Sequence, residues 1–465
     1  MNVANQHFSE KSGGVLEVLY IAAPLIISAL GHTVNMFVDR LMLSWHSQDE
    51  MSAAMPAGIT AFTLACFFYG VIGYAGTFVA QYVGAHRNDR VGTAVWQGIF
   101  LALIGGLVMS TGYFFGPLLF DLFPHDEAVR VHEITYFQLM MAGAILPMLS
   151  AAFCNFWAGR GKTKVIMIVN LIGTGVNIGL NYLLIFGFTF YLPGYEMIVP
   201  GMGIFGAGVG TIITNAIMAL IYATILFSKP NREKFNTLRN PWDIPLFKRM
   251  IRFGTPNGVM LFLDLAAFNT FVILMGCFGG AILAATGVAF SMNMISFIPL
   301  LGLSQAASIL VGQSVGEKNI PHAVRSVRSS FLLTFGYTFC MVILFVFYPE
   351  PILQLFYLED AETIALTRKM LYFMAAWLTF DGIGILYSSA IRGAGDTKFA
   401  MYIGAGMAWT LFAIPCLIAF YFGASVWTLW TMCVIYVIIV GTAFYARYRS
   451  GKWKSMRVIE DDVTT

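Results

Sequence analysis

Three aspartates, Asp39, Asp264 and Asp381, stand inside otherwise apolar runs that read NMFVDRLML, MLFLDLAAF and WLTFDGIGIL. A carboxylate near the centre of a membrane-spanning helix costs roughly 2.5–3.5 kcal/mol on insertion scales, so three forfeit on the order of 8–10 kcal/mol. That sum is comparable to the net stability of a whole domain. Acids placed this way face a cavity or a partner and handle ions or protons, or else they cap or cross-link helices.

The residue types nearby narrow the chemistry. VNIGLNYLLIFG puts Asn177 and Asn181 four residues apart, on one helical face, and GAGVGTIIT adds the Thr211 hydroxyl. A carboxylate with amide and hydroxyl oxygens suits a hard monovalent cation or a proton, and a hydrogen-bond network that only packs helices uses the same groups. Asn293 and Ser296 are the corresponding neighbours for Asp264 and Asp381, and no lysine or arginine is expected beside these two acids. Sealed from water without a basic partner, such acids are held neutral or cation-bound. His32 reads as a helix-to-helix donor, and Arg40 as a side chain that snorkels to the interface.

Other chemistries lack their residues. GRGKT at 159–163 has Phe156 where the phosphate loop needs glycine, and GIFGAGVG at 203–210 does not fit the dinucleotide pattern. There is no HExxH, GxSxG or Cys-rich metal motif, and the six cysteines lie in apolar runs as small core residues. Enzymatic function is therefore not expected, and any pumping must be driven by an ion gradient.

The elements that hold these residues follow from composition. Hydrophobic residues make up 58% of the chain and charged residues 11%, with mean hydropathy +0.75, against about 25% charged in a soluble domain. Twelve apolar segments are long enough to cross hydrocarbon: 15–45, 52–84, 93–123, 131–158, 165–188, 206–228, 251–278, 281–313, 326–348, 364–391, 399–423 and 424–446. The first reads as a retained span, not a cleaved signal peptide. Alternate connections collect the basic residues, among them Lys11, Arg87, Arg90, Arg160, Lys162, Lys164, Lys229 to Arg252, Lys318, Arg325, Arg328, Arg392 and Lys398. The opposite loops carry Asp49, Glu50, Asp126, Glu127, Glu359, Asp360 and Glu362. The positive-inside rule then puts the basic loops and both termini in the cytoplasm, and accounts for the basic charge without nucleic acid.

The polar stretch SKPNREKFNTLRNPWDIPLFKRM divides two halves that resemble one another. LYIAAPLIISAL answers MIRFGTPNGVML, aligning Pro24 with Pro256; QYVGAHRNDRVGTAV answers GQSVGEKNIPHAV, and WAGRGKTK answers AIRGAGDTK. The expected organisation is all-α, with twelve transmembrane helices in two pseudo-symmetric six-helix lobes: 1–228, a linker 229–250, a second lobe 251–446 and a cytoplasmic tail 447–465. Even-numbered halves share orientation, so the repeat axis lies along the membrane normal. In this alignment His32 is the counterpart of Asp264, and Asp39 falls opposite Phe271, so the acids are not a symmetric pair.

FVDRLMLSW, FVAQYVGAHRNDRVGTA, GRGKTKVIMIVN, NIGLNYLLIFG, FIPLLGLSQAASILVGQSVGEKN and AIRGAGDTK, in this order along twelve spans, resemble the multidrug and toxic compound extrusion (MATE) family, bacterial NorM-like, over essentially the whole chain. The resemblance implies a two-lobed antiporter of the bacterial inner membrane that exports amphipathic, cationic compounds in exchange for Na⁺ or H⁺. It implies a first-lobe cation site at Asp39, Asn177, Asn181 and Thr211, and second-lobe acids at Asp264 and Asp381. Substrate would share Asp39, Asp264 and Asp381, and Na⁺, if it is the coupling ion, would use Asp39, Asn177, Asp264 and Asp381. Arg40 and Trp377 depart from the family's usual residues. The expected partners are small organic cations or drugs and the lipid bilayer, with no nucleic acid, no resident cofactor and a monomeric chain. The alternative within the fold is a flippase for lipid-linked oligosaccharides, and acids in place of internal basic residues weigh against it.

Overall fold

The computed structural model describes residues 13–121, 126–192, 195–238, 242–356 and 360–460; Lys11, Glu359 and part of the Lys229 to Arg252 cluster lie outside them. Among the described residues eleven helices are long and apolar enough to cross a membrane, and a bent pair makes a twelfth. They are α1 (Val15–His46), α2 (Gln48–Gly84), α3 (Asn88–Phe120), α4 (Glu127–Ala142 and Ile145–Gly159, bent by 45°), α5 (Thr163–Phe186), α6 (Gly203–Leu226), α7 (Ile244–Cys277), α8 (Gly280–Gly316), α9 (Ile320–Phe347), α10 (Ala361–Ala394), α11 (Thr397–Tyr421) and α12 (Val426–Arg449). Large side chains such as Phe114 and Phe339 are 78% and 57% exposed on these helices. Hydrocarbon, not water, is the solvent that tolerates such a surface.

Most helices outrun their apolar cores. At about 1.5 Å per residue a 37-residue helix such as α8 is longer than the hydrocarbon is thick. Capping residues set several ends: Asn319 accepts from the His322 amide to start α9, Asp360 from those of Glu362 and Thr363 to start α10, and Ser425 from that of Thr428 to start α12. Hydropathy is blind to these polar turns, so the apolar segments understate the helices. Among the described residues the departure from an all-helical chain is an antiparallel hairpin, β1 (Gly187–Leu192) with β2 (Tyr195–Pro200), joining α5 to α6. Residues Ala408–Ala413 of α11 form a π-helical turn.

The chain forms two compact units. One comprises Ile27–Val79 and Arg87–Gly254; the other the described residues up to Ile26, Ala80–His86 and those from Thr255 onward. In the first, α6 packs on α5 and α4, and α4 on α2 and α3. The stretch read as a linker is built into this unit. Its short helix Lys229–Phe235 is held by Arg160, whose guanidinium lies 4.4 and 4.2 Å from the Phe156 and Phe235 ring centroids. Burial lowers the Arg160 pKa to about 10, so it stays charged at neutral pH. Trp96 Nε1 donates to the Thr237 carbonyl at 2.7 Å, and Arg90 meets Asp243 at 2.7 Å. The GRGKT motif thus contributes a packing arginine.

In the second unit α10 is the hub, packed against α8, α9 and α12 over a core that includes Phe271, Trp377, Phe412 and Trp430. The repeat survives in its backbone: His86 (φ 57°) and Lys318 (φ 62°) take the same left-handed conformation and stand as far apart in the chain as Pro24 and Pro256. Gly84 and Gly316, at the same spacing, make reciprocal approaches. A Cβ on Gly84 would collide with the Gln313 carbonyl, and one on Gly316 with that of Gln81.

The tail folds back onto this place. Trp453, 1% exposed, stacks on Tyr448 and donates Nε1 to its carbonyl at 3.0 Å. The Val458 amide donates to Gln81 Oε1 (2.9 Å), Gln81 Nε2 donates to the Gly393 and Ala394 carbonyls (3.0 and 3.2 Å), and Tyr82 donates to Glu460 (2.8 Å). A buried side-chain amide therefore ties the chain end to α2 and α10. Trp453→Ala is expected to destabilise the protein by about 3–5 kcal/mol, the range for truncating a large buried aromatic. Thermal unfolding in detergent followed by tryptophan fluorescence would show it, with the exposed Lys454→Ala as the silent control.

Candidate functional site

Each unit holds its own polar arrangement. In the first, Asp39 of α1 accepts from Asn181 Nδ2 at 2.8 Å, and the same amide nitrogen donates to Asn177 Oδ1 at 3.0 Å. The pair shares a face of α5 because four residues make just over one helical turn. Asn177 Nδ2 in turn donates to Thr214 Oγ1 at 3.4 Å, and Asn35 Nδ2 to Asp39 Oδ2 at 3.4 Å. Asn177, Asn181 and Thr214 are buried, and Asp39 is half-buried. α6 comes this close because position 210 is glycine: a Cβ there would overlap Asn181 Oδ1. That oxygen is buried and has no hydrogen-bond partner.

The arrangement therefore joins Asp39, Asn177 and Asn181, and adds two residues that sequence reasoning missed, Asn35 and Thr214. Thr211 donates its hydroxyl to the Ala207 carbonyl of its own helix and is half-buried. Thr214 is the α6 threonine bonded to the asparagine pair. Asn35 had a legible signal, one helical turn before Asp39; the choice between Thr211 and Thr214 depends on how α6 is rotated, which its sequence does not encode. His32 and Arg40 are exposed side chains of α1.

In the second unit Asp264 of α7 and Asp381 of α10 line one cavity of about 190 Å³, together with Met260, Phe380, Ser388 and Tyr436. Asp264 Oδ1 is buried without a hydrogen-bond partner. A buried acceptor left open by the protein is the feature a cation or a proton-bearing ligand would satisfy. Asn293 and Ser296 of α8 are not among the lining residues, and Ser296 donates to the Met292 carbonyl of its own helix. Trp377, one turn before Asp381, packs against Phe268 and Phe290.

One expectation fails here. The cavity of these acids does hold a basic residue, because Arg392 lines it. From the sequence it belongs to a basic loop, yet α10 continues to Ala394 and carries Arg392 in its last turn, on the face of Asp381. Its guanidinium donates to Asn257 Oδ1 of α7 at 2.6 Å and to Ser389 Oγ at 2.9 Å. Among the described residues no group of three His, Cys, Asp or Glu side chains is placed to hold a metal ion, so each arrangement relies on one or two carboxyls with neutral oxygens.

These two arrangements sit in a recognisable framework. The family described as MatE matches residues 24–183 and 256–418, one stretch in each half of the chain. The probable multidrug resistance protein NorM of Pasteurella multocida is 26% identical over 398 residues, covering 85% of this chain and 84% of that protein. The multidrug resistance protein NorM of Aliivibrio fischeri is 26% identical over 390 residues, 82% of each chain. Among solved structures, a MOP superfamily transporter from Pyrococcus furiosus, described as having a binding pocket of reversed polarity, superposes with a TM-score of 0.82 at 18% identity. It covers 96% of this chain and 97% of its own. An outward-facing multidrug resistance MATE family transporter gives 0.83 at 17%, with 96% and 97% covered. At such identities the structures speak for the fold alone. Two matched stretches, carrying Asp39 and Asn177 in one and Asp264 and Asp381 in the other, make this membrane chain a member of the MatE family.

Proposed function

We propose that this protein is a multidrug efflux antiporter that expels amphipathic organic cations while Na⁺ or H⁺ enters through the Asp39 cluster and the Asp264–Asp381 cavity. The observation that carries the reading is the pair of polar arrangements built around membrane-embedded carboxyl groups, each with a buried oxygen that lacks a partner, Asn181 Oδ1 in one and Asp264 Oδ1 in the other. The names of the NorM relatives support the class of cargo. The remaining parts of the reading are an inner-membrane location, both termini in the cytoplasm, a monomeric chain and the absence of enzymatic activity.

Coupling is by differential binding. A ligand shifts a two-state equilibrium only by its difference in affinity for the states, so cation and substrate must compete for carboxyl groups or favour different states. Each elementary charge crossing a 100 mV potential supplies about 2.3 kcal/mol, which sustains a roughly fiftyfold substrate gradient. A lipid-linked oligosaccharide flippase, with an anionic pyrophosphate cargo, would call for basic groups to outnumber acids in the cavity. Here two acids face one arginine.

Export of a fluorescent organic cation from energised proteoliposomes, under an imposed sodium gradient and separately under an imposed proton gradient, identifies the coupling ion. Asp39→Asn, Asp264→Asn and Asp381→Asn should each lower gradient-driven export at least tenfold while leaving folded protein. Undiminished export in both Asp39→Asn and Asp264→Asn would sink the assignment. Within the first cluster, Thr214→Ala should raise the coupling-cation concentration for half-maximal export several-fold. Thr211→Ala should have the smaller effect: both hydroxyls donate to a carbonyl of their own helix, and Thr214 is the one that accepts from Asn177.

A further inference from the structure

The cavity between α7 and α10 is built as a polar ladder. On α10 the lining residues Asp381, Ile385, Ser388 and Arg392 recur at helical spacing along one face, and on α7 Asn257 precedes Asp264 by two turns. The acids occupy one end of the ladder and the guanidinium the other. An arginine at the end of a spanning helix commonly snorkels away into the interface. Arg392 does not: it donates to Asn257 Oδ1 (2.6 Å), Ser389 Oγ (2.9 Å) and the Ser388 carbonyl (3.4 Å), which hold it on the cavity wall from two helices. A guanidinium keeps its charge at any physiological pH.

We propose that Arg392 is a fixed counter-charge of this cavity, leaving it with one net negative charge when both aspartates are ionised, so that one singly charged cation neutralises it and doubly charged ones are held less tightly than the two acids alone would hold them. The inference rests on the antiport reading and deepens it, because it assigns the charge of the cargo to a residue outside the acids. Eleven residues put the Cα atoms of Asp381 and Arg392 about 16 Å apart along the axis, and the reach of the arginine narrows the charge separation to on the order of 10 Å. Across that distance at an effective dielectric constant near 20, the guanidinium weakens the binding of each positive charge held at the acids on the order of tenfold.

The test uses full-length protein in an Asp39→Asn background, which removes the first cluster. Equilibrium binding of tetraphenylphosphonium, a monocation, and of decamethonium, a dication, is compared in this background and with Arg392→Gln or Arg392→Lys added. Removing the charge should raise the affinity for the dication relative to the monocation on the order of tenfold, while Arg392→Lys keeps the parent ratio. An unchanged ratio in Arg392→Gln, or the same change in Arg392→Lys, would overturn the counter-charge. Should Arg392→Gln fail to fold, the stoichiometry of the parent decides: one Na⁺ or one monocation bound per protein supports the proposal, and two overturn it. Binding with an unchanged ratio counts against Arg392 alone. No cation binding at all, together with no gradient-driven export by the wild type, counts against the transport reading as well.

Discussion

Charge taken out of water is expensive, and this chain is arranged around the few places where it accepts that cost. A spanning helix satisfies its own backbone, so the helices need nothing from their surroundings except apolar surface. The side chains of Asp39, Asp264 and Asp381 do need something, and the packing supplies part of it, leaving Asp264 Oδ1 without a partner. Asp39 takes a hydrogen bond from Asn181, itself braced by Asn177. Asp264 and Asp381 share a cavity with Arg392. Part of the remaining basic charge is used structurally, as Arg160 is between two phenylalanine rings.

Close backbone approach makes those arrangements possible. Helices in lipid gain little from burying apolar surface against each other, because lipid is equally apolar, so small residues and interhelical hydrogen bonds direct their association. Gly210 lets α6 seat the Asn181 amide, and the reciprocal Gly84 and Gly316 contacts bring α2 against α8 where Gln81 gathers the chain end. Large aromatics such as Phe271 and Trp430 fill the core around α10.

The two halves share local backbone features and differ in their chemistry. His86 and Lys318 share an unusual backbone conformation across the repeat. The acids do not follow it: His32 takes the place of Asp264, and Phe271 that of Asp39. The first unit relies on one carboxyl with amides and a threonine, whereas the second combines two carboxyls with a guanidinium.

The sequence alone determined much of this. Twelve apolar segments, their basic connections, the duplication and the three acids are all local signals, because the energy of moving a residue into hydrocarbon depends mainly on that residue and its immediate neighbours. The i, i+4 pairing of Asn177 with Asn181 is local too, and the structure has it. Tertiary structure decided the rest. Whether Thr211 or Thr214 meets the asparagines depends on the rotation of α6, the π-helical turn in α11 on packing, and the docking of the tail on Gln81, which lies hundreds of residues away in the chain. Arg392 makes the point most sharply. Hydropathy assigns it to a basic loop, but its helix runs one turn further and Asn257 of another helix holds it, so a residue legible only as topology becomes part of the cavity wall.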